Sequence, residues 1–312
     1  MPLWGRDRRD EVPDGTFSYL SVRQVQRIRE LARSAFAERG VEVIVHADHL
    51  EADDGSQFGL SNLCAACKSA ERGERAWPGI VESHVSRILA ATKGMEALAR
   101  MDAAEVLSRT YLRLMDLTEF SPRARGWFSY ARPVGTSMIE VLALDSPETV
   151  TVIRDEDVAR VGLDALREAG LANLLADRPD SHEILKGPDG LRIHVVLGDS
   201  VYTASKLLVF RDVLRRSLGE REFPNGVLVV APFRHQLAFT PVEGREVVQA
   251  VNLLAALAQS GYTEGVASLS PHVYWWKDGD LTQISYLTKS GDLAIEATGP
   301  FGETVERLLG DD

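Results

Sequence analysis

The residues best suited to chemistry in this chain lie close together: His46 and His49, and then, after fourteen further residues, Cys64 and Cys67. Two imidazoles and two thiolates are the donor set that tetrahedral zinc prefers, and a hairpin between the pairs would bring them together. Strand geometry sets a condition. Residues three apart on one strand point to opposite faces, so both histidines ligate only if the strand ends at Ala47 or Asp48. The competing reading makes the cysteines small buried fillers and leaves the histidines on the surface, because free cysteine packs as a small hydrophobe. The same two cysteines have dithiol redox spacing, with Ser61 and Asn62 able to cap a helix whose N-terminus would favour a thiolate. A thioredoxin-like βαβ frame is missing around them. Asp48, Glu51, Asp53 and Asp54 add carboxylates beside the histidines, which suit either a hard metal or a solvated Asp-Asp-Gly turn.

Elsewhere the signals are thinner. Ser200 and Ser205 stand near His194 and Asp199 in sequence, a triad composition that arises readily by chance. Patterns for a nucleophile elbow, a phosphate-cradling loop and an HExxH zinc helix do not occur, so the enzyme classes built on them lose support. His272, Tyr274, Trp275 and Trp276 crowd one strand. Tyr274 and Trp276 share a face and Trp275 takes the other, so one large ring meets either a second layer or solvent. An exposed ring would suit a protein partner, since Trp and Tyr are enriched at interface hot spots.

The elements that must carry these residues follow from pattern and composition. Ser21 caps an amphipathic helix through Val22, Val25, Ile28, Leu31, Ala32 and Ala35, which Gly40 stops. VEVIVHADHL then reads as a strand, with Asp53-Asp54-Gly55-Ser56 turning it into a hairpin with Phe58 to Leu60. A short helix over NLCAACKSA and two longer ones, from Trp77 and over Asp102 to Leu117, complete the first half. Beyond SPRARGW at 121–127 the chain alternates hairpins and helices. The fold class expected is α+β, with largely antiparallel sheets and helices packed on one face, in two subdomains. The division expected is a flexible arm over 1–19, a helix–hairpin–helical domain over 20–120 and an α+β domain over 121–312.

With 46 acidic against 35 basic side chains, the 312-residue chain has a formal charge of -11, which argues against nucleic acid as the main partner. No apolar stretch approaches the length of a membrane span, and the N-terminus lacks a secretory signal, so a cytoplasmic protein without a membrane partner is expected. The stretches LSNLCAAC, WPGIVESHVSRIL, DVARVGLDALREAGLANL, GDSVYTASKLL and GVLVVAPFRHQLAF, in that order, resemble the YtpQ-like bacterial proteins of unknown function. The resemblance runs from residue 40 to 287, with 119 to 150 matching poorly. It implies an intracellular bacterial protein and supplies no catalytic residues. The function expected is a non-catalytic protein-interaction or regulatory module that needs no cofactor and docks through His272, Tyr274, Trp275 and Trp276. Two alternatives stand beside it: a zinc protein using His46, His49, Cys64 and Cys67, and an enzyme with a cleft between the halves, using Asp199, His194 or His235.

Overall fold

The computed structural model describes residues 12–53, 55–120, 125–146, 149–178, 181–187, 190–265, 267–289 and 293–310. The chain divides into two compact units between Ala97 and Leu98.

In the first unit, helix α1 (Val22–Ala37) begins at Ser21, whose side chain accepts from the Gln24 N–H while the Gln24 side chain accepts from the Ser21 N–H. This reciprocal pair satisfies two N-terminal donors that the helix leaves without partners. Three short antiparallel strands come next, β1 (Val43–Val45), β2 (His49–Ala52) and β3 (Gln57–Gly59), in the order β1-β2-β3. Their inner face packs on α1, with the Phe36 and Phe58 rings stacked at 4.8 Å and Leu50 fully buried. Helices α2 (Ser61–Lys68) and α3 (Trp77–Arg100) close the core, and the boundary falls near the end of α3. Of the expected arm, residues 1–11 lie outside the described residues. The rest is not loose: Pro13 bridges to Ser21, Asp14 accepts from the Thr16 and Phe17 N–H groups, and Phe17 and Leu20 join the core.

The second unit starts with α4 (Ala103–Arg109) and β4 (Thr110–Asp116). The segment from Asp102 to Leu117 is therefore not one helix. Thr110–Asp116 alternates buried and half-buried positions and pairs along its whole length with β6 (Met138–Ser146). Strands β5 (Arg132–Val134) and β7 (Thr149–Val152) also pair with β6. Helices α5 (Asp155–Val161) and α6 (Leu163–Ala176) meet at Gly162, whose φ of 104° ends the first helix and favours glycine. Leu166 and Leu174 of α6 share a core with Leu98, Leu112, Leu142 and Leu144. That shared core places residues 98–120 in the second unit, not in the N-terminal domain expected for them. Residues 121–124 of the expected linker lie outside the described residues.

The centre of this unit is a six-stranded antiparallel sheet in the order β13-β12-β10-β11-β9-β8. Its strands are β8 (Ser181–Lys186), β9 (Arg192–Leu197), β10 (Val227–Val230), β11 (Gln236–Pro241), β12 (Tyr274–Lys277) and β13 (Asp280–Gln283). Strands β14 (Ser285–Leu287) and β15 (Leu293–Ile295) form a separate pair. The α+β class with antiparallel sheets is as expected, but this sheet is covered on both faces. One face, with Val227, Val229, Phe239 and Trp276, packs on Leu207 and on Phe210 and Leu214 of α7 (Phe210–Leu218). The other, with Leu228, Val230, Val195 and Trp275, packs on Val251 and Leu254 of α8 (Val247–Glu264) and on Phe301 of α9 (Gly299–Gly310). Apolar residues at consecutive strand positions demand this, because each face then needs a layer of its own. Helix α8 continues through Gly261, where an added Cβ would lie 2.8 Å from Pro232.

Candidate metal centre

The run VEVIVHADHL is not one strand. It bends at Ala47 and Asp48, between β1 and β2, and the His46 N–H donates to the His49 carbonyl at 2.9 Å. Arg29 Nη2 of α1 donates to the Ala47 carbonyl and holds the turn from the helix side. The register pairs Val45 with Leu50 and Ile44 with Glu51, so His46 stands opposite His49. Opposite residues, and residues two apart on one strand, share a face. His46, His49 and Glu51 therefore stand together on the outer face while Leu50 enters the core.

The two imidazoles stack with centroids 4.4 Å apart and planes within 12°. Glu51 Oε2 lies 3.1 Å from His46 Nε2 and 3.9 Å from His49 Nε2, and the three donor atoms fall within 4.8 Å of one another. A tetrahedral ion with bonds of about 2.0–2.1 Å spaces its donors about 3.3 Å apart, so the observed separations bracket what zinc requires. Both Nε2 atoms are buried and make no hydrogen bond, and Glu51 faces His46 Nε2 as an ion-pair contact. On the far side of the second ring, His49 Nδ1–H donates to Asp48 Oδ1 at 2.8 Å. This bond holds the Asp48 carboxyl below its usual range, and it orients the His49 ring with Nε2 on the Glu51 side. Gly59 is the β3 neighbour of His49, and no atom approaches the place of its missing Cβ, which leaves that flank open.

Cys64 and Cys67 are elsewhere. They lie one turn apart on α2, are essentially unexposed, and pack with Ile28, Leu63 and Trp77. Trp77 Nε1–H donates to the Cys67 carbonyl. Burial pushes the Cys64 thiol up to about 12 and the Cys67 thiol up to about 11. Among the described residues the only group of three or more potential metal donors is His46, His49 and Glu51. The four-ligand His–Cys arrangement is thus corrected: the hairpin turns its histidines outward while α2 turns its thiols into the core. The burial of both thiols also weakens the case for dithiol chemistry, which needs an accessible thiolate. Asp53 is exposed, Gly55 has the φ of 82° that a tight turn favours, and Asp54 lies outside the described residues.

The aromatic strand forms no surface. His272, Tyr274, Trp275 and Trp276 are all buried, between 0% and 7% exposed. Tyr274 shares a 2.8 Å hydrogen bond with Ser270, Trp275 Nε1–H donates to the Asn225 carbonyl, and His272 Nδ1 lies 3.3 Å from Ser285 Oγ. With both faces of the sheet covered, the docking role expected of these four residues is overturned.

The triad types do not assemble either. Ser205 Oγ accepts from the Leu114 N–H, and Ser200 Oγ donates to Asp177 Oδ2. His194 shares a 3.0 Å hydrogen bond with His182, and burial, helped by His182, pushes it down to about 4. His235 donates from Nδ1 to the Gly198 carbonyl while its Nε2 accepts from Arg234. Asp199 and His235 do line one shallow recess of about 340 Å³, without His194. One grouping escaped the sequence reading: the buried Lys206, which donates to the Leu174 carbonyl and lies 2.9 Å from Asp177 Oδ2. Of the four carboxylates expected beside the histidines, the structure brings Glu51 to both Nε2 atoms and leaves Asp48 on the outer side of His49.

Among the described residues no helix is long and apolar enough to cross a membrane. No family model, no curated protein and no solved structure matches the chain.

Proposed function

We propose that this protein binds a divalent transition metal, zinc in the first instance, through His46 Nε2, His49 Nε2 and Glu51. The observation that carries this reading is the pair of buried Nε2 atoms, without hydrogen bonds, that converge on one carboxylate. Buried polar atoms without hydrogen bonds are uncommon, and a cation would complete both at once. Two histidines with one glutamate make a three-donor set, which leaves a fourth position for water or an exchangeable ligand, as in zinc sites that do chemistry. Asp48 supplies the outer hydrogen bond that metal-binding histidines ordinarily make. A reducing, cytoplasmic setting belongs to the same proposal, supported by two buried free cysteines. The YtpQ-like kinship is likewise proposed, and it brings no activity with it. The interaction reading loses its aromatic surface, so it does not rest on β12.

Titration of chelator-stripped protein with zinc and cobalt tests the site. One equivalent is expected, with the visible bands of tetrahedral cobalt and no thiolate-to-cobalt charge transfer. His46→Ala and Glu51→Gln abolish the bands, while Cys64→Ser leaves them unchanged. Binding below one equivalent, or bands untouched by Glu51→Gln, would refute the assignment.

A further inference from the structure

Strand β1 is an edge strand, and its free side opens onto a recess. The His46 N–H bonds to His49, so alternation turns the main-chain groups of Ile44 toward β2 and those of Val43 and Val45 outward. The opposite side of β2 agrees, since the Asp48 carbonyl and the Ala52 N–H bond toward β3. Among the described residues nothing pairs with the outward groups of Val43 and Val45. Ile44 is 62% exposed, and the Val45 side chain is also open to solvent. Val45 forms one wall of a recess of about 550 Å³ whose other wall is a stripe of α1: Gln26, Arg29, Glu30, Arg33 and Ser34. Glu30 is engaged with Arg27, and Arg29 with Asp14 and the Ala47 carbonyl. Arg33 is exposed and, among the described residues, has no ion-pair partner. A bare strand edge facing a helix across a recess is the geometry that accepts an extended peptide as an added strand.

We infer that the β1 edge docks an extended acidic segment of another protein, which pairs with Val43 and Val45 and sets a carboxylate against Arg33. Main-chain hydrogen bonds would supply the affinity, and side chains at alternate positions, one over Val45 and one at Arg33, the selectivity. The inference goes beyond the metal reading and stands without it. A metal bound at His46 would only add positive charge at the same end of the edge. The chain as a whole carries -11, so a preference for an acidic peptide must come from this local wall.

The test is fluorescence anisotropy with a short labelled peptide of alternating valine and glutamate, alongside its lysine-for-glutamate counterpart. Both are titrated with the full chain in chelator and again in zinc. Saturable binding of the acidic peptide in chelator is expected, weaker by about tenfold for the lysine peptide and for Arg33→Glu. Val45→Pro removes an outward N–H without breaking the β1–β2 ladder and should abolish binding while the circular dichroism spectrum is retained. Amide exchange at Val43 and Val45 should slow when the peptide is present. Equal binding of both peptides, no saturable binding in chelator, or a chain that instead self-associates through β1 would overturn the inference. None of these outcomes bears on the zinc titration, so the two proposals fail separately.

Discussion

Two hairpins of this protein have the same ingredients and opposite fates. β1–β2 and β12–β13 each turn over two residues, Ala47-Asp48 in one and Asp278-Gly279 in the other, and each carries histidine or aromatic side chains near the turn. The first belongs to a three-stranded sheet with one face on α1, so its second face is left to solvent and to polar residues. The second belongs to a sheet with helices on both faces, so its large rings are core on either side. The number of layers, more than the type of residue, decides whether an aromatic or imidazole cluster is available to a ligand.

The largest effect that would break this contrast is loss of packing in the second hairpin. Trp276→Ala should cost about 3–5 kcal/mol of stability, measured by urea unfolding, and leave zinc stoichiometry untouched. A cost below ~1 kcal/mol would mean that the ring is not core. In the first hairpin the order reverses: Glu51→Gln should weaken zinc binding by about a hundredfold or more while unfolding shifts by less than about 1 kcal/mol, as suits a half-exposed position. Calorimetric titration beside urea unfolding checks both halves of that statement.

A third contrast is pH. His194 is held neutral in the fold, down to about 4, whereas the unfolded chain takes up that proton near the ordinary value of about 6.5. As the pH falls from 6.5 toward 4, the unfolded state binds more protons, so stability falls across this window and the His194 contribution is flat below it. The loss is about 3 kcal/mol and should vanish in His194→Gln, read from urea midpoints at several pH values. A slope that survives in His194→Gln would assign the effect to other groups. The smallest effect sharpens the metal hairpin itself. Asp48→Asn keeps all three donors but weakens the hold on the His49 ring, and zinc affinity should fall by about tenfold with stoichiometry unchanged.

Much of the architecture was readable from residue pattern because local and tertiary preferences agree. The Ser21 cap and the apolar spacing from Val22 to Ala35 name helix α1, and the turn residues Gly55 and Ser56 mark where β2 and β3 fold back as a hairpin. The failures have physical causes. Thr110–Asp116 carries apolar residues at spacings that suit either period, and pairing with β6 decided for strand. VEVIVHADHL is β-branched enough to read as one strand, yet Asp48 hydrogen-bonds His49 and the chain reverses there. That single turn puts both histidines on one face and adds Glu51 from the returning strand. The cysteines drew attention by spacing, but spacing does not report burial, and α2 places both thiols in the core.

The most direct test is X-ray absorption at the zinc edge of stoichiometrically loaded protein. The expected first shell contains only nitrogen and oxygen at about 2.0 Å, with the outer-shell scattering of two imidazoles. A sulfur shell at about 2.3 Å would return the site to Cys64 and Cys67 and contradict the assignment to His46, His49 and Glu51.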